Sequence, residues 1–168
     1  NPAVSALARA HGPDQYATAG TSGGKRPTFA AMPAYLHDLI EEKAAKYGVD
    51  PDTMKAICRI ESGGVGYDPN AANPKSRARG LWQFMPETGA RYGLSSDERF
   101  DPEKSTDAAA RLTRDNAAIF RSSLGRAPTP GELYLAHQQG VGGAVSLLAR
   151  PNAMAMGVVG ISSVLDNG

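Results

Sequence analysis

The chain has 168 residues, of which 41% are hydrophobic, and its 18 Lys and Arg against 17 Asp and Glu give a formal charge of +1. This length fits one medium-sized domain with its own core, and the near-neutral charge argues against a nucleic-acid binder that works through a general basic field. A single cysteine, Cys58, and three scattered histidines exclude a disulfide scaffold and a zinc module, so no metal or cofactor is expected. No apolar stretch approaches the ~20 residues of a membrane span, and residues 1–30 lack the charged-then-apolar order of a signal peptide.

The first part of the chain is predicted to be an arm followed by a helix. Residues 1–32 are rich in Ala, Gly, Ser, Thr and Pro without a sustained apolar period, which predicts a flexible N-terminal arm or linker before a domain over residues 33–168. From Pro33 onward, apolar residues recur every three or four positions until Gly48, which supplies a stop. This pattern predicts the first helix.

The rest of the chain carries helical patterns separated by Gly, Pro and Asn. Asp50 is placed to cap a second helix, with Pro51 in its first turn, that runs to Gly63–Gly64. The absence of a period-two strand and of an internal repeat predicts a mainly α class. The elements predicted after the second helix are an irregular excursion over residues 64–80 with room for a small β-hairpin, a short helix from Pro86 to about Tyr92, a longer helix from about Pro102 to Leu124, a helix opened by a capping box at Thr129–Glu132 and ending at Gly140, a last helix over about Gly142–Ala149, and a short helix near Ser162.

Glu61 does not fit the apolar face on which it lies. Met54, Ile57, Cys58 and Glu61 share one face of the second helix, because positions three, four and seven apart are neighbours on a helix. Burial disfavours an ionised carboxylate, and the last turn of a helix repels an anion, so both effects should raise the pKa of Glu61. General-acid catalysis needs a carboxylic acid that keeps its proton near neutral pH, and a hydrophobic pocket can raise the pKa of a glutamic acid to about 6. The alternative is that Glu61 frays into solvent at the helix end.

Three motifs place this glutamate in a recognisable context. They are Glu61-Ser62-Gly63-Gly64, the segment GLWQFMPET that begins at Gly80, and the segment AHQQGVGG that begins at Ala136. In residues, order and spacing they resemble the signature of the soluble lytic transglycosylases, which carry a goose-lysozyme-like (SLT) domain. The resemblance covers about residues 33–150 and implies a mainly α, lysozyme-like fold.

The resemblance also implies a reaction that needs only one carboxylate. Relatives cleave the β-1,4 bond between N-acetylmuramic acid and N-acetylglucosamine in peptidoglycan, with no cofactor. Glu61 would protonate the leaving oxygen and then take the proton of the muramoyl C6 hydroxyl, which closes onto C1 and gives a 1,6-anhydro product. The residues implied as substrate-binding are Ser62, which would also support the helix end, Ser76, Trp82, Gln83, His137 and Gln138.

Three of these assignments leave alternatives open. Trp82 equally fits a core anchor, since an indole is largely apolar. His137 and Gln138 stand where relatives usually carry Tyr and Asn. A charged His137 near Glu61 would lower its pKa, a neutral one would orient it, and a ring packed on its own helix would do neither.

Two other function classes remain alternatives to the transglycosylase. A goose-type hydrolase would need a second carboxylate to activate water, and Asp68, Glu87 and Asp97 are candidates by position. A non-catalytic peptidoglycan-binding module could tolerate the changes at His137 and Gln138. The product formed distinguishes the first alternative, and the absence of product distinguishes the second.

The expected partner is the glycan strand of peptidoglycan, with no nucleic acid and no membrane span. The local basic cluster Lys75, Arg77 and Arg79 is interpreted as a solvated face, or else as an attractor for stem-peptide carboxylates. An enzyme that acts on cell wall should work outside the cytoplasm, in the periplasm or wall, or on a phage particle. A monomer is expected, and a larger secretion, flagellar or phage assembly is left open.

Overall fold

The computed structural model describes residues 29–149. The predicted arm, apart from its last four residues, and the predicted tail helix near Ser162 lie outside the described residues. The chain divides into two compact units, one of residues 27–114 and one that includes the residues from 115 onward, and the division falls inside a long helix. The two units are described in turn.

The first unit begins with a pair of packed helices. Helix α1 spans Ala34–Tyr47 and ends at Gly48, which has a φ of 66°. Helix α2 spans Pro51–Ser62, and the Asp50 side chain caps it by accepting from the backbone N–H groups of Asp52 and Thr53. The two helices pack against each other. Both predicted helices are confirmed, including the cap and the stop, because each boundary residue satisfies backbone groups that the helix end would leave unpaired.

Shorter elements follow α2. A 3₁₀ turn covers Gly63–Val65, helix α3 spans Pro86–Arg91, and a second 3₁₀ turn covers Glu98–Phe100. Helix α4 spans Pro102–Leu124, as predicted, and begins where Lys104 N–H donates to the carboxylate of Asp101. The short helix and the long helix are therefore confirmed.

The loop between α2 and α3 contains no strand within the described residues. Two single antiparallel bridges join Ala72 to Arg79 and Arg79 to Phe84. The irregular excursion predicted over residues 64–80 is therefore confirmed, whereas the small β-hairpin for which it left room does not form: Arg79 pairs with Ala72 on one side and with Phe84 on the other, and neither bridge extends into a ladder.

The described part of the second unit, residues 115–149, is mainly helical. Helix α5 spans Pro130–Gln139 and opens with the predicted capping box, in which Thr129 and Glu132 bond reciprocally through side chain and backbone. Helix α6 spans Val141–Leu148 and packs against α5. Glu132 is buried, and the Arg126 guanidinium binds both of its carboxylate oxygens at 2.6 and 2.8 Å.

The fold is mainly α, as predicted. The apolar side chains of the first unit that are wholly buried come from α1, α2, α4 and the loop before α3, and include Leu36, Ile40, Met54, Cys58, Trp82 and Ala109. At the surface, α1 is tied to α4 through Asp107, which accepts from Tyr47 Oη at 2.9 Å and from Lys46 Nζ at 3.0 Å. Among residues 29–149, no helix is long and apolar enough to cross a membrane.

Candidate active site

Glu61 is buried at the carboxyl end of α2. It lies in the last turn of the helix and only 6% of it is exposed, on the same face as the buried Met54, Ile57 and Cys58. The prediction from helical spacing is therefore confirmed, and the alternative of a glutamate frayed into solvent is wrong. The apolar stripe of α2 carries its carboxyl group into the interior together with the rest of the face.

Burial raises the pKa of Glu61 well above its usual range. The cause is loss of hydration, which penalises the carboxylate and spares the neutral acid. The neighbouring thiol responds in the same way, since burial raises the pKa of Cys58 to about 12. A neutral thiol one turn before Glu61 adds no charge, so the environment favours a carboxyl group that holds its proton.

The side chain of Ser62 is used inside the helix. Its hydroxyl is buried and donates to the backbone carbonyl of Cys58 at 3.1 Å, and it lies 3.8 Å from Cys58 Sγ. The Cys58 thiol in turn approaches the carbonyl of Leu81 at 4.0 Å. These contacts connect the last turn of α2 to the loop that precedes α3.

That loop is held by the close fit of Gly80 against Arg99 and by hydrogen bonds from the Arg99 side chain. Gly80 has a φ of 78°, and a Cβ placed there would lie 2.0 Å from the carbonyl oxygen of Arg99. The buried Arg99 side chain donates to the carbonyls of Arg77 at 2.7 Å and Phe84 at 2.8 Å. Only glycine fits at position 80, for conformational and for steric reasons.

Gln83 is held in a fixed orientation by the same loop. Its φ of 48° is rare for a residue other than glycine. The side-chain Nε2 donates to the carbonyl of Gly80 at 2.8 Å and to that of Ala71 at 3.4 Å. Because the amide oxygen cannot donate to a carbonyl, these two bonds fix which way the Gln83 amide faces, and its role toward substrate stays a prediction.

Ser76 and Trp82 take different places. The Ser76 hydroxyl is half-buried and accepts from the backbone N–H of Ala78 at 3.2 Å, so it stabilises a turn. Trp82 is 0% exposed and donates from Nε1 to Thr106 Oγ1 at 3.0 Å. This burial agrees with the interpretation of Trp82 as a core anchor, and it leaves no indole surface on which a sugar could stack.

Comparison with protein families identifies the domain that carries this arrangement. The family model described as the transglycosylase SLT domain matches residues 38–137, which is more than half of the chain.

The chain belongs to this family.

Membership supports transglycosylase-type activity on peptidoglycan at the level of the family, and the matched region contains Glu61, the Gly80 segment and His137. Within residues 29–149, no group of three or more His, Cys, Asp or Glu side chains is placed to hold a metal ion.

The third SLT motif lies in the second compact unit. His137 and Gln138 occupy the last turn of α5, and both are half-buried and engaged in contacts. A position in the last turn suits a basic side chain, because the helix C-terminus carries partial negative charge. Their roles toward substrate stay predictions.

The candidate second carboxylates are all on the surface of the first unit. Asp68 caps a turn by accepting from Asn70 N–H at 2.9 Å. Glu87 pairs with Arg77 at 2.6 Å, and its own backbone N–H together with this guanidinium lowers its pKa. Asp97 is exposed beside the second 3₁₀ turn. None of the three shares the buried setting of Glu61.

Sequence reasoning missed residues that hold the loop before α3 and the end of α2. Arg79 appeared as part of a basic cluster, but its guanidinium is directed inward and donates to three carbonyls of its own loop. Arg99 lies in a polar turn with no pattern that marks it as buried. Phe29, Arg59 and Tyr67 meet at the end of α2, and their spacing along the chain follows no helical or strand period.

Proposed function

We propose that the chain is a peptidoglycan lytic transglycosylase in which Glu61 is the single acid and base. The observation that carries the proposal is the burial of Glu61 on the apolar face of α2, where loss of hydration raises its pKa well above the usual range. In an SLT domain, a proton-holding carboxyl group at this position is suited to donate to a glycosidic oxygen.

In the first step, neutral Glu61 gives its proton to the oxygen that links muramic acid to the next sugar. The bond from muramoyl C1 to that oxygen breaks, and the departing sugar leaves with a new hydroxyl. Positive charge develops on the muramoyl ring, and Glu61 becomes a carboxylate. The same burial that favoured the acid now makes the carboxylate a stronger base.

In the second step, the Glu61 carboxylate takes the proton of the muramoyl C6 hydroxyl. The C6 oxygen bonds to C1 and closes a 1,6-anhydro ring, and Glu61 regains the proton that it had lost. No water is consumed. One carboxyl group is sufficient because the nucleophile is part of the substrate, whereas a hydrolase of the inverting type needs a second carboxylate to activate water.

The settings of the other candidate carboxylates support this single-carboxylate route. Asp68 and Glu87 are engaged in a turn and an ion pair, respectively, and Asp97 is exposed. Gln83 presents Oε1 as an acceptor, which suits an acetamido N–H or a sugar hydroxyl. An enzyme with this substrate works outside the cytoplasm, in a periplasm or cell wall or on a phage particle.

The test is mass spectrometry of the fragments released from purified peptidoglycan by the protein and by the Glu61→Gln variant. We expect fragments that end in 1,6-anhydromuramic acid with the unaltered protein, and a loss of at least about a thousandfold in the variant, since the amide can neither donate an acidic proton nor accept one. The control is Glu42→Gln, which also removes a carboxylate, but from the exposed surface of α1.

Three other outcomes would contradict the proposal. Reducing-end muropeptides would mean that water is the nucleophile, and Asp68→Asn would then be the first variant to test for the second carboxylate. Full activity of Glu61→Gln would remove Glu61 from the mechanism. Binding to peptidoglycan without release would indicate a binding module.

A further inference from the structure

The segment that precedes α1 lies against the end of α2. Ala30 N–H donates to the carbonyl of Gly63 at 3.4 Å, and the Phe29 ring occupies the space that a side chain on the same glycine would enter. Gly63 is the second residue after Glu61. The segment is therefore in contact with the backbone that follows the proposed acid.

Gly63 is a glycine for reasons of space. Its φ of −62° and ψ of −32° are ordinary helical values that any residue adopts. A Cβ at this position would lie 3.0 Å from Phe29 Cδ1, 3.3 Å from Arg59 Cγ and 3.3 Å from Tyr67 Oη. The glycine of the Glu-Ser-Gly motif thus makes room for three side chains that close on one point.

Arg59 contacts both of the other side chains. The Arg59 guanidinium lies 5.5 Å from the centre of the Phe29 ring, within the range of a cation–π interaction. Burial raises the pKa of the Tyr67 hydroxyl, and the adjacent Arg59 opposes that rise. Arg59 is therefore held between an aromatic ring and a phenol.

The backbone beyond Glu61 is fixed by the same group. Tyr67 has a φ of 57°, which is strained for a residue other than glycine, and its N–H donates to the carbonyl of Ser62 at 2.9 Å. Gly63 accepts from both Ala30 and Gly66. The carbonyls of the two residues that follow Glu61 therefore point in directions that these partners set.

We propose that Phe29 is a positioning residue for Glu61: by packing on Gly63 and Arg59, it holds the last turn of α2 in the geometry that aims the Glu61 carboxyl group. This inference rests on the proposed function, since it assigns Glu61 the role of the acid. It adds a residue outside the three sequence motifs, and outside the matched region of 38–137, to the machinery of the reaction.

The first test compares the kinetics of Phe29→Ala, Phe29→Tyr and Met32→Ala on soluble glycan fragments. We expect Phe29→Ala to lower kcat roughly tenfold with KM within about twofold, because a small misplacement of a catalytic group slows the chemical step more than it weakens binding. Phe29→Tyr keeps the ring and should keep kcat. Met32→Ala removes an apolar side chain from the same segment that is not among the nearest neighbours of a Gly63 Cβ, and it should resemble the unaltered protein.

The second test is a double-mutant cycle between Phe29 and Gly63. Gly63→Ala introduces a methyl group 3.0 Å from the Phe29 ring and should lower kcat by itself. In the Phe29→Ala background that methyl has the space of the removed ring, so Gly63→Ala should cost less there. Additive losses in kcat would overturn the proposal, because residues that act through one contact are not independent.

A third measurement does not require activity. Hydrogen exchange at the amides of Gly66 and Tyr67 reports whether the turn after Glu61 is held, since both amides donate to this turn. Phe29→Ala should speed exchange there several-fold at unchanged melting temperature, and Phe29→Tyr and Met32→Ala should not.

The outcomes separate this proposal from the proposed function. If the unaltered protein releases no anhydro product, the function fails, and unchanged exchange in Phe29→Ala then also overturns the positioning role. If the protein is active but Phe29→Ala matches it in kcat, only the role of Phe29 is overturned. If Phe29→Ala and Phe29→Tyr both lower kcat and both lower the melting temperature, the cause is a general loss of stability. That result would equally overturn the positioning role of Phe29.

Discussion

At the scale of the residue, burial gives Glu61 the raised pKa that its proposed role as an acid requires. Folding moves its carboxyl group from water to an apolar helix face, and this raises its pKa well above the usual range. Between the pKa of the unfolded chain and the raised pKa of the folded chain, the folded protein binds the additional proton. The residue proposed to do the chemistry should therefore weaken the fold as the pH rises.

The sign of this effect gives a prediction for Glu61→Gln. Because the folded-state pKa of Glu61 is raised, its contribution to the free energy of unfolding is fully present below the unfolded pKa and is lost as the pH rises toward the folded pKa. Over that range the unfolding constant grows by up to about tenfold per pH unit. The amide has no such dependence. We expect Glu61→Gln to match the unaltered protein near pH 4 and to be more stable at pH 8, as measured by urea unfolding at both values. A constant difference between the two proteins at all pH values would contradict a raised pKa at Glu61.

At the scale of the element, the loop between α2 and α3 is held by contacts to a distant segment. The Arg99 side chain binds the carbonyls of Arg77 and Phe84, and its own carbonyl leaves no room for a side chain at Gly80. Gln83 is oriented by this loop through Gly80 and Ala71. The position of the Gln83 amide therefore depends on the fit between Gly80 and Arg99.

A comparison of two glycines isolates the contribution of that fit. Gly80 and Gly93 have nearly equal φ values of 78° and 79°, but a Cβ at Gly93 meets nothing within 4 Å, whereas one at Gly80 lies 2.0 Å from a backbone oxygen. We expect Gly93→Ala to cost about 1 kcal/mol through the left-handed conformation alone. Gly80→Ala should cost about 3 kcal/mol or more, because backbone must move as well. Urea unfolding measures both, and equal costs would mean that the loop yields without penalty.

The helices were predictable from the sequence, and the loop was not. Caps and stops such as Asp50, Gly48 and the Thr129–Glu132 box act within a few residues, so their signals lie next to the elements that they bound. Arg79 satisfies three carbonyls of its own loop, and Arg99 reaches back to Arg77 across a sequence separation of 22 residues. No local period marks such contacts, so the sequence predicts an irregular segment over residues 64–80 without the contacts that hold it.

At the scale of the whole molecule, part of the candidate site was visible in the sequence and part was not. The burial of Glu61 follows from helical spacing, and the three motifs identify the family to which the chain belongs. The core position of Trp82 could not be separated from a place in a cleft, because an indole is apolar in either setting. Phe29 reaches Gly63 only through the tertiary fold, and neither residue carries a charge or a motif that links the two.

The net charge of +1 and the state of the basic cluster together predict a weak dependence on salt. Arg77 pairs with Glu87, and Arg79 is half-buried and keeps its charge while it donates to carbonyls of its own loop, so Lys75 is the exposed cation of the cluster without these contacts. Long-range attraction of an anionic polymer needs an uncompensated field, and salt screens such a field over about 8 Å at physiological ionic strength. We therefore expect kcat/KM on peptidoglycan fragments to change less than about twofold between 50 and 300 mM NaCl. A steep fall, abolished in Lys75→Gln, would instead show that the cluster attracts stem-peptide carboxylates.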